Sequence, residues 1–393
     1  MAGMTTIESM RFPEADAGAH RSRRFKYVDV GFVVVVALLV LYGLAVVYSA
    51  TVNNDNYNFS RQVLFVCVGA VFMFGMFRFD YHQLSHYMGV LVAVSTVLTL
   101  LPHLPVIGMT VNGAQSWIHL GSFSFQPGEL AKVTVILAAA SCVSRYNGKL
   151  DSFREYCKCI GIMLIPFLGI MTQPDLGTGL VYLFIDGVAL LVGGANPRFI
   201  LGTVGLLAGA IVALFVLDPV ADAMAGDDVL LKDYQRSRLL VFMDNSYDPT
   251  GDGYNLQQAK IAIGSGGIFG KGYLHATQST LGYLPESATD FIFCVLAEEL
   301  GFVGAIALLA LYAVLVVKSF RIALSANDLF GSIIVMCIAG MWLFQILENI
   351  GMDIGLMPIT GIPLPFVSYG SSFMIVNFIL LGFIGSVWAH NGM

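Results

Sequence analysis

Apolar runs of roughly 17 to 25 residues, each long enough to cross a hydrocarbon layer about 30 Å thick, alternate along this 393-residue chain with short polar connections. Ten of them fall near 28 to 50, 61 to 78, 85 to 104, 128 to 146, 155 to 172, 175 to 194, 198 to 217, 289 to 317, 327 to 350 and 366 to 389. They predict an all-α polytopic membrane protein of about ten transmembrane helices. One connection breaks the rhythm, a loop of about 70 residues from 218 to 288, just before the eighth helix. Loops of that length are functional or disordered. This one holds helix-like pieces, the turn signal Asp248-Pro249-Thr250-Gly251-Asp252-Gly253 and a glycine-rich run from Gly264 to Gly272, so it is expected to be ordered and packed on the membrane domain.

Composition agrees with the pattern: 57% of residues are hydrophobic and 12% charged, where a soluble domain carries about a quarter charged. The net charge of -6 says less than its distribution. Arg78, the group Arg145, Lys149 and Arg154, then Arg198, then Lys318 and Arg321 fall on one side together with Arg21, Arg23, Arg24 and Lys26 of the N-terminal tail (1 to 27). Loops 51 to 60, 105 to 127 and 351 to 365 contain no Lys or Arg. By the positive-inside rule both termini are cytoplasmic and the 218 to 288 loop is extracytoplasmic. The first run is too long for the apolar core of a removable signal and lacks a small-residue cleavage site. The six cysteines lie in or at the ends of apolar segments, and neither a disulfide framework nor a zinc site is indicated.

Candidate chemistry gathers on the outer side. Asp290 opens the eighth span within Leu284-Pro285-Glu286-Ser287-Ala288-Thr289-Asp290-Phe291. A carboxylate there carries a desolvation cost, of order 2.5 to 3.5 kcal/mol at the bilayer centre and less at the interface, which makes it a functional candidate. Helical spacing from Asp290 through Cys294 to Glu298 would put Asp290 and Glu298 on one face, and Glu299 is a candidate partner for an arginine of another helix. Glu129 and Lys132 share a helix face at a spacing of three, either as a structural ion pair or as part of a polar cavity. Asp175, after Pro174, is placed to cap the sixth span. Asn349-Ile350-Gly351, Pro358-Ile359-Thr360-Gly361-Ile362-Pro363-Leu364-Pro365-Phe366 and Ser368-Tyr369-Gly370 form a broken segment before the last span. Broken backbone at membrane depth survives only where protein buries it or a cavity adjoins it, so these features are expected to converge on one cavity. The glycine-rich run fails the spacing of a phosphate loop, since Gly272 follows Lys271.

These residues resemble the SEDS family (shape, elongation, division and sporulation), which includes RodA and FtsW. The matching blocks are Gln126-Pro127-x-Glu129-Leu130-x-Lys132, Gln173-Pro174-Asp175-Leu176-Gly177-Thr178, Tyr234-Gln235-x-x-Arg238, Asp248-Pro249-x-Gly251-x-Gly253-Tyr254, Ala262 to Gly267, Gly270-Lys271-Gly272, the Asp290 block and Pro363 to Gly370. They run in order from the fourth span onward. Gly361-Ile362-Pro363-Leu364-Pro365 and the Gly-Lys-Gly run look more like the RodA branch. Ala288 stands where a histidine is frequent, Ala259 where serine is usual, and Ser371 where glycine is common.

The resemblance implies a peptidoglycan glycosyltransferase of the bacterial cytoplasmic membrane, serving cell elongation and shape and polymerising lipid II. The acceptor hydroxyl would attack the anomeric carbon with inversion and expel undecaprenyl pyrophosphate. A pyrophosphate leaves without protonation if its charge is stabilised, so one carboxylate base plus cations suffices. Asp290 is the implied base, with substrate contacts from Glu129, Lys132, Asp175, Arg238, Lys271 and Ser368. A divalent cation such as Mg²⁺ or Mn²⁺ would fit the leaving group, although no metal ligands are read from the residues. A class B penicillin-binding protein is the implied partner, and nucleic acid is not expected. Two other classes fit ten spans with broken helices: a flippase for the lipid-linked precursor, and a scaffold for a transpeptidase. Asp290 at the interface rather than the midplane favours the enzyme.

Overall fold

The computed structural model describes residues 29–390 except 53, 55–56, 105–107, 112–113, 121–122, 226–232, 245–246, 249 and 252. The N-terminal tail lies outside the described residues, as do Pro249 and Asp252 of the predicted turn. Among the described residues seven α-helices come first, the last running past the predicted loop boundary at 218: α1 (Val30–Thr51), α2 (Phe59–Arg78), α3 (Met88–Leu100), α4 (Pro127–Ser144), α5 (Phe153–Met171), α6 (Leu176–Val192) and α7 (Pro197–Ala225). The loop itself contains α8 (Asp233–Met243), α9 (Tyr254–Gly266) and the one-turn α10 (Thr277–Thr280), and α11 (Ile292–Leu324), α12 (Leu329–Ile354) and α13 (Ser371–His390) follow. By length and composition α1, α2, α4, α11, α12, α13 and the Pro197–Asp218 part of α7 can each cross a membrane. The remaining three predicted spans are weaker. α3 and α6 are shorter apolar helices, and α5 carries Arg154, Glu155 and Lys158 in its first two turns.

Local chemistry fixes the helix ends. Asp29 accepts from Phe32 N at 3.1 Å, Asp175 from Thr178 N at 3.0 Å and Asp328 from Gly331 N at 2.8 Å, each satisfying an amide that the first turn leaves unpaired. α4, α12 and α13 are buried over most of their length, whereas α2 and α7 present mainly apolar side chains outward. Without a hydrophobic drive between helices in lipid, polar pairs help to fix contacts. The indole of Trp342 on α12 donates to Asn377 Oδ1 on α13 at 2.7 Å, both side chains being buried.

Two departures from the sequence reading shape the end of the bundle at which α11 begins. Within the stretch 105 to 127, read as plain loop, the described residues include a three-stranded antiparallel sheet, β1 (Gly108–Val111), β2 (Ala114–Leu120) and β3 (Phe123–Phe125). α11 also begins at Ile292, so Asp290 sits in the turn before the helix and does not share a helical face with Glu298. Glu298 accepts instead from Lys271 Nζ at 2.6 Å, Thr277 N at 2.9 Å and Thr277 Oγ1 at 2.7 Å. Glu299 accepts from Ser49 of α1 rather than from an arginine.

The loop does not stay outside the bundle. Gly301 interrupts α11 with φ 64 and ψ -162, a region essentially restricted to glycine. The backbone groups freed there are taken up by the glycine-rich run. Lys271 N donates to Glu298 O (3.0 Å), Gly272 N to Glu299 O (2.9 Å), Phe302 N to Gly267 O (2.9 Å) and Val303 N to Ile268 O (3.1 Å). Gly301 lies about 13 Å along α11 from Ile292 at 1.5 Å per residue, so the run after α9 reaches well below the helix start. Two glycines are needed because a Cβ on Gly270 would meet Glu299 O at 2.0 Å and one on Gly301 would meet Gly270 N at 2.3 Å.

Candidate active site

Three stretches of non-helical backbone meet at the end of the bundle where α11 starts and α12 ends. The first is the turn carrying Asp290, and the second is the broken segment between α12 and α13. Its irregular backbone is held from all sides. Tyr312 OH donates to Pro365 O at 2.6 Å, and Gln62 Nε2 donates to Ser368 O at 3.2 Å while its Oε1 accepts from Gly370 N at 3.1 Å. Ser368 Oγ accepts from Leu364 N at 2.8 Å and donates to Thr289 O at 2.7 Å, tying the segment to the Asp290 turn. The third stretch is the approach to α4, where Gln126 N donates to Ser372 Oγ at 2.9 Å and Gln126 Nε2 donates to Asp175 Oδ2 at 2.8 Å.

Together these stretches enclose a cavity of about 140 Å³. Asp290, Glu129, Lys132 and Asp175 all line it. That volume is below the 300 Å³ or so at which pockets begin to hold a whole drug-sized ligand. Lys132 Nζ donates to Glu129 Oε1 at 2.5 Å, deep in the wall formed by α4. The two residues form an ion pair and both line the cavity. Asp175 combines two roles in the same way, capping α6 and presenting its carboxylate to the cavity.

Asp290 is half-buried. Burial pushes its carboxyl up to about 8, the neighbouring Glu286 carboxylate adds to the rise, and the Arg238 guanidinium on α8 opposes it. A carboxyl poised there can accept a proton near neutral pH more effectively than an ordinary one. The peptide unit behind it is clamped, since Asn349 Nδ2 on α12 donates to Asp290 O at 2.7 Å and to Ile362 O at 2.8 Å.

The other predicted residues are placed differently. Arg238 is near enough to act on the Asp290 and Glu348 carboxylates through space. Ser368 holds backbone and is not among the residues lining the cavity. Lys271 does not line it either; its ammonium is committed to Glu298 and to Thr277 Oγ1 at 2.7 Å. Among the described residues no group of three or more His, Cys, Asp or Glu side chains is placed to hold a metal ion. Sequence reasoning passed over Trp117 of β2, which lines the cavity. Its signal was present: Asn112-Gly113 between two short runs is the strongest short-range hairpin mark.

Comparison with known proteins points the same way. The FtsW/RodA/SpoVE family model, described as "Cell cycle protein", matches residues 29–392. The chain is 37% identical to Stage V sporulation protein E of Bacillus subtilis (strain 168), covering 91% of this chain and 96% of that protein. It is 36% identical to Peptidoglycan glycosyltransferase MrdB of Escherichia coli (strain K12), covering 93% and 95%. Among solved structures it is similar to a chain described under "Structural coordination of polymerization and crosslinking by a peptidoglycan synthase complex", with TM-score 0.77, 32% identity and coverage of 93% and 99%. The rod shape determining protein RodA of Thermus thermophilus is also similar, with TM-score 0.67, 30% identity and coverage of 92% and 97%.

Proposed function

We propose, from the premise that this chain belongs to the FtsW/RodA/SpoVE family of cell cycle proteins, that it is a peptidoglycan glycosyltransferase polymerising lipid II. Asp290 is the general base. It takes the proton from the C4 hydroxyl of the acceptor GlcNAc as that oxygen attacks C1 of the donor MurNAc. The bond from C1 to the undecaprenyl pyrophosphate breaks, the pyrophosphate leaves with the electron pair, and the anomeric centre inverts. The observation that carries this reading is the Asp290 carboxylate, raised to about 8 and set in a cavity that also contains Lys132.

Lys132 and Arg238 are the cations whose positions suit a departing pyrophosphate, Lys132 from the cavity wall and Arg238 from α8. Preorganised positive charge in such a site stabilises developing negative charge without reorganisation. Glu129 and Asp175 hold Lys132 and Gln126. Lys271 supports the fold of the loop, and Ser368 supports the Asp290 turn.

The chain works at the outer face of the bacterial cytoplasmic membrane with both termini cytoplasmic, as the charge asymmetry of its loops supports. Its role is in cell elongation, alongside a class B penicillin-binding protein that crosslinks the product. Similarity to a chain from a peptidoglycan synthase complex supports that partnership. Purified protein supplied with lipid II should yield glycan polymer on a gel, and a cognate class B penicillin-binding protein should co-purify with it and raise the yield. Transfer of lipid II across a vesicle membrane with no polymer formed would favour the flippase reading instead.

A further inference from the structure

Three successive backbone carbonyls in the Asp290 turn are gripped from outside it. Tyr369 N donates to Ala288 O at 2.9 Å, Ser368 Oγ to Thr289 O at 2.7 Å and Asn349 Nδ2 to Asp290 O at 2.7 Å. The first two donors belong to the broken segment, itself irregular. Asn349 alone of the three projects from a regular helix, and its second amide hydrogen goes to Ile362 O at 2.8 Å. One fully buried side chain thus spends both donors on the two walls that face each other across the cavity.

The spacing of those walls is tight. Gly361 has φ 76, and a Cβ placed there would lie 3.1 Å from Asp290 Oδ2. The preceding residue is held by the same helix, since the Thr360 hydroxyl donates to Glu348, next to Asn349 in sequence. On its other side the 360–362 backbone abuts α6, where a Cβ on Gly177 would meet Thr360 O at 3.0 Å. Displacing the 360–363 wall therefore changes where the Asp290 carboxylate stands relative to anything bound in the cavity.

We propose that Asn349 is a positioning residue for the transfer reaction, setting the gap between the Asp290 carboxylate and the Gly361 wall by bonding both backbones to α12. The assignment rests on the reading of Asp290 as base. It explains why an asparagine is needed: an ionised aspartate of the same shape offers no donor to either carbonyl, and a serine offers one hydrogen where two are used. Misplacement of a reacting group by about 1 Å costs on the order of 10²-fold in rate, which sets the scale of the effect.

The test is a series, Asn349→Ser, Asn349→Ala and the isosteric Asn349→Asp, each assayed for polymerisation of lipid II per unit of folded protein beside Asp290→Asn. The expected result is a graded loss in kcat, modest for Ser and about 10²-fold for Ala and Asp, with KM within about twofold of the parent because substrate binding draws on groups beyond the gap. The pH at which the rate is half-maximal should also fall in Asn349→Ala. A loosened turn admits water to Asp290, while Glu286, Arg238, Glu348 and Asp175, the charged groups that act on it, remain. Asn349→Asp keeps the side-chain volume, so it carries the test if truncation impairs folding. Parent-like kcat and pH midpoint in folded Asn349→Ala or Asn349→Asp, with Asp290→Asn inactive, overturns the positioning role alone. Full activity in Asp290→Asn overturns the base reading, and the positioning role with it.

Discussion

Lys132 Nζ donates to Glu129 Oε1 at 2.5 Å with the two side chains 2% and 6% exposed, one turn into α4 and facing the cavity that Asp290 lines. Removing one partner of so buried a pair leaves an uncompensated charge and costs about 3–5 kcal/mol. The exchange Glu129→Lys with Lys132→Glu keeps a pair but moves the ammonium to the first turn of the helix, where the dipole favours an anion. We expect the exchanged protein to fold with reduced stability and to make no polymer, because the cation no longer stands at its place in the cavity. Thermal unfolding and a polymerisation assay measure both; recovery of activity would return the pair to a purely structural role.

Asp290→Asn should lower polymerisation by about 10² to 10⁴-fold, since the amide cannot accept the proton. In the parent the rate should rise with pH and reach half its maximum near 8, where burial holds the Asp290 carboxyl. Stability runs the other way. A carboxyl raised in the folded state binds its proton more tightly there than in the unfolded chain, so its contribution is present below the unfolded value near 3.9 and is lost as pH climbs toward 8. Asp290→Asn should therefore unfold at a higher temperature than the parent at pH 8, and the difference should shrink toward pH 4. Equal unfolding temperatures at every pH would show the carboxyl to be unperturbed.

At the other end of the bundle His82 sits between Asp80 and Asp328, with Nδ1 2.8 Å from Asp80 and Nε2 3.3 Å from Asp328, and its ring lies 6.0 Å from that of His390. The bond to Asp328 is the main reason its imidazolium is favoured and its pKa raised. A raised histidine contributes stability that is complete below about 6.5 and lost as pH rises through the folded value. His82→Gln should thus lower the unfolding temperature at pH 6 and have little effect at pH 9. With the side chain 47% exposed, solvent screening limits the effect to about 1 kcal/mol or less. A difference that grows with pH would reverse the assignment.

Gly301→Ala should destabilise the fold by about 3 kcal/mol or more, because alanine is strained at φ 64 and its Cβ would press on Gly270 N. Gly75→Ala on α2, where a Cβ meets nothing within 4 Å, is the control and should be neutral or slightly stabilising. Parallel thermal unfolding of the two proteins in detergent makes the comparison.

Orientation can be read by labelling. In a background without native cysteines, Asn54→Cys should react with a membrane-impermeant thiol reagent on intact cells and Asn147→Cys should not. Reaction at Asn147 in sealed cells would place Asp290 on the cytoplasmic side. Asn245, a third site suited to this test by its place in the long loop, lies outside the described residues.

The runs that became α1, α2, α4, α7, α11, α12 and α13 were legible because length and composition alone decide what can lie in a bilayer, whereas those of α3, α5 and α6 are weaker by the same measure. Glu129, Lys132, Asp175 and Asp290 were legible as well, since charge beside an apolar run is costly enough to demand a reason. The partner of Lys271 was not legible, because a lysine flanked by glycines carries no mark of it; Glu298, 27 residues further on, pairs with it through the fold. Extending the period of α11 back to Asp290 failed for a related reason. Helix ends are set by local caps and turns, here the bonds from Thr289 N and Phe291 N to Glu286 O at 3.2 Å each, and no hydrophobic period marks where such a turn stops.

The break at Gly301 bears on how the chain is made. Until residues 267–272 arrive, the amides of Phe302 and Val303 and the carbonyls of Glu298 and Glu299 lack the partners they have in the finished structure. Each such group left bare in hydrocarbon costs several kcal/mol. Synthesis runs from the N-terminus, so the glycine run leaves the ribosome before the helix it will mend. The order of the gene is therefore the order that insertion requires, and a circular permutant opened between α9 and α11 would have to thread its broken helix into the bilayer with the mending strand still unmade.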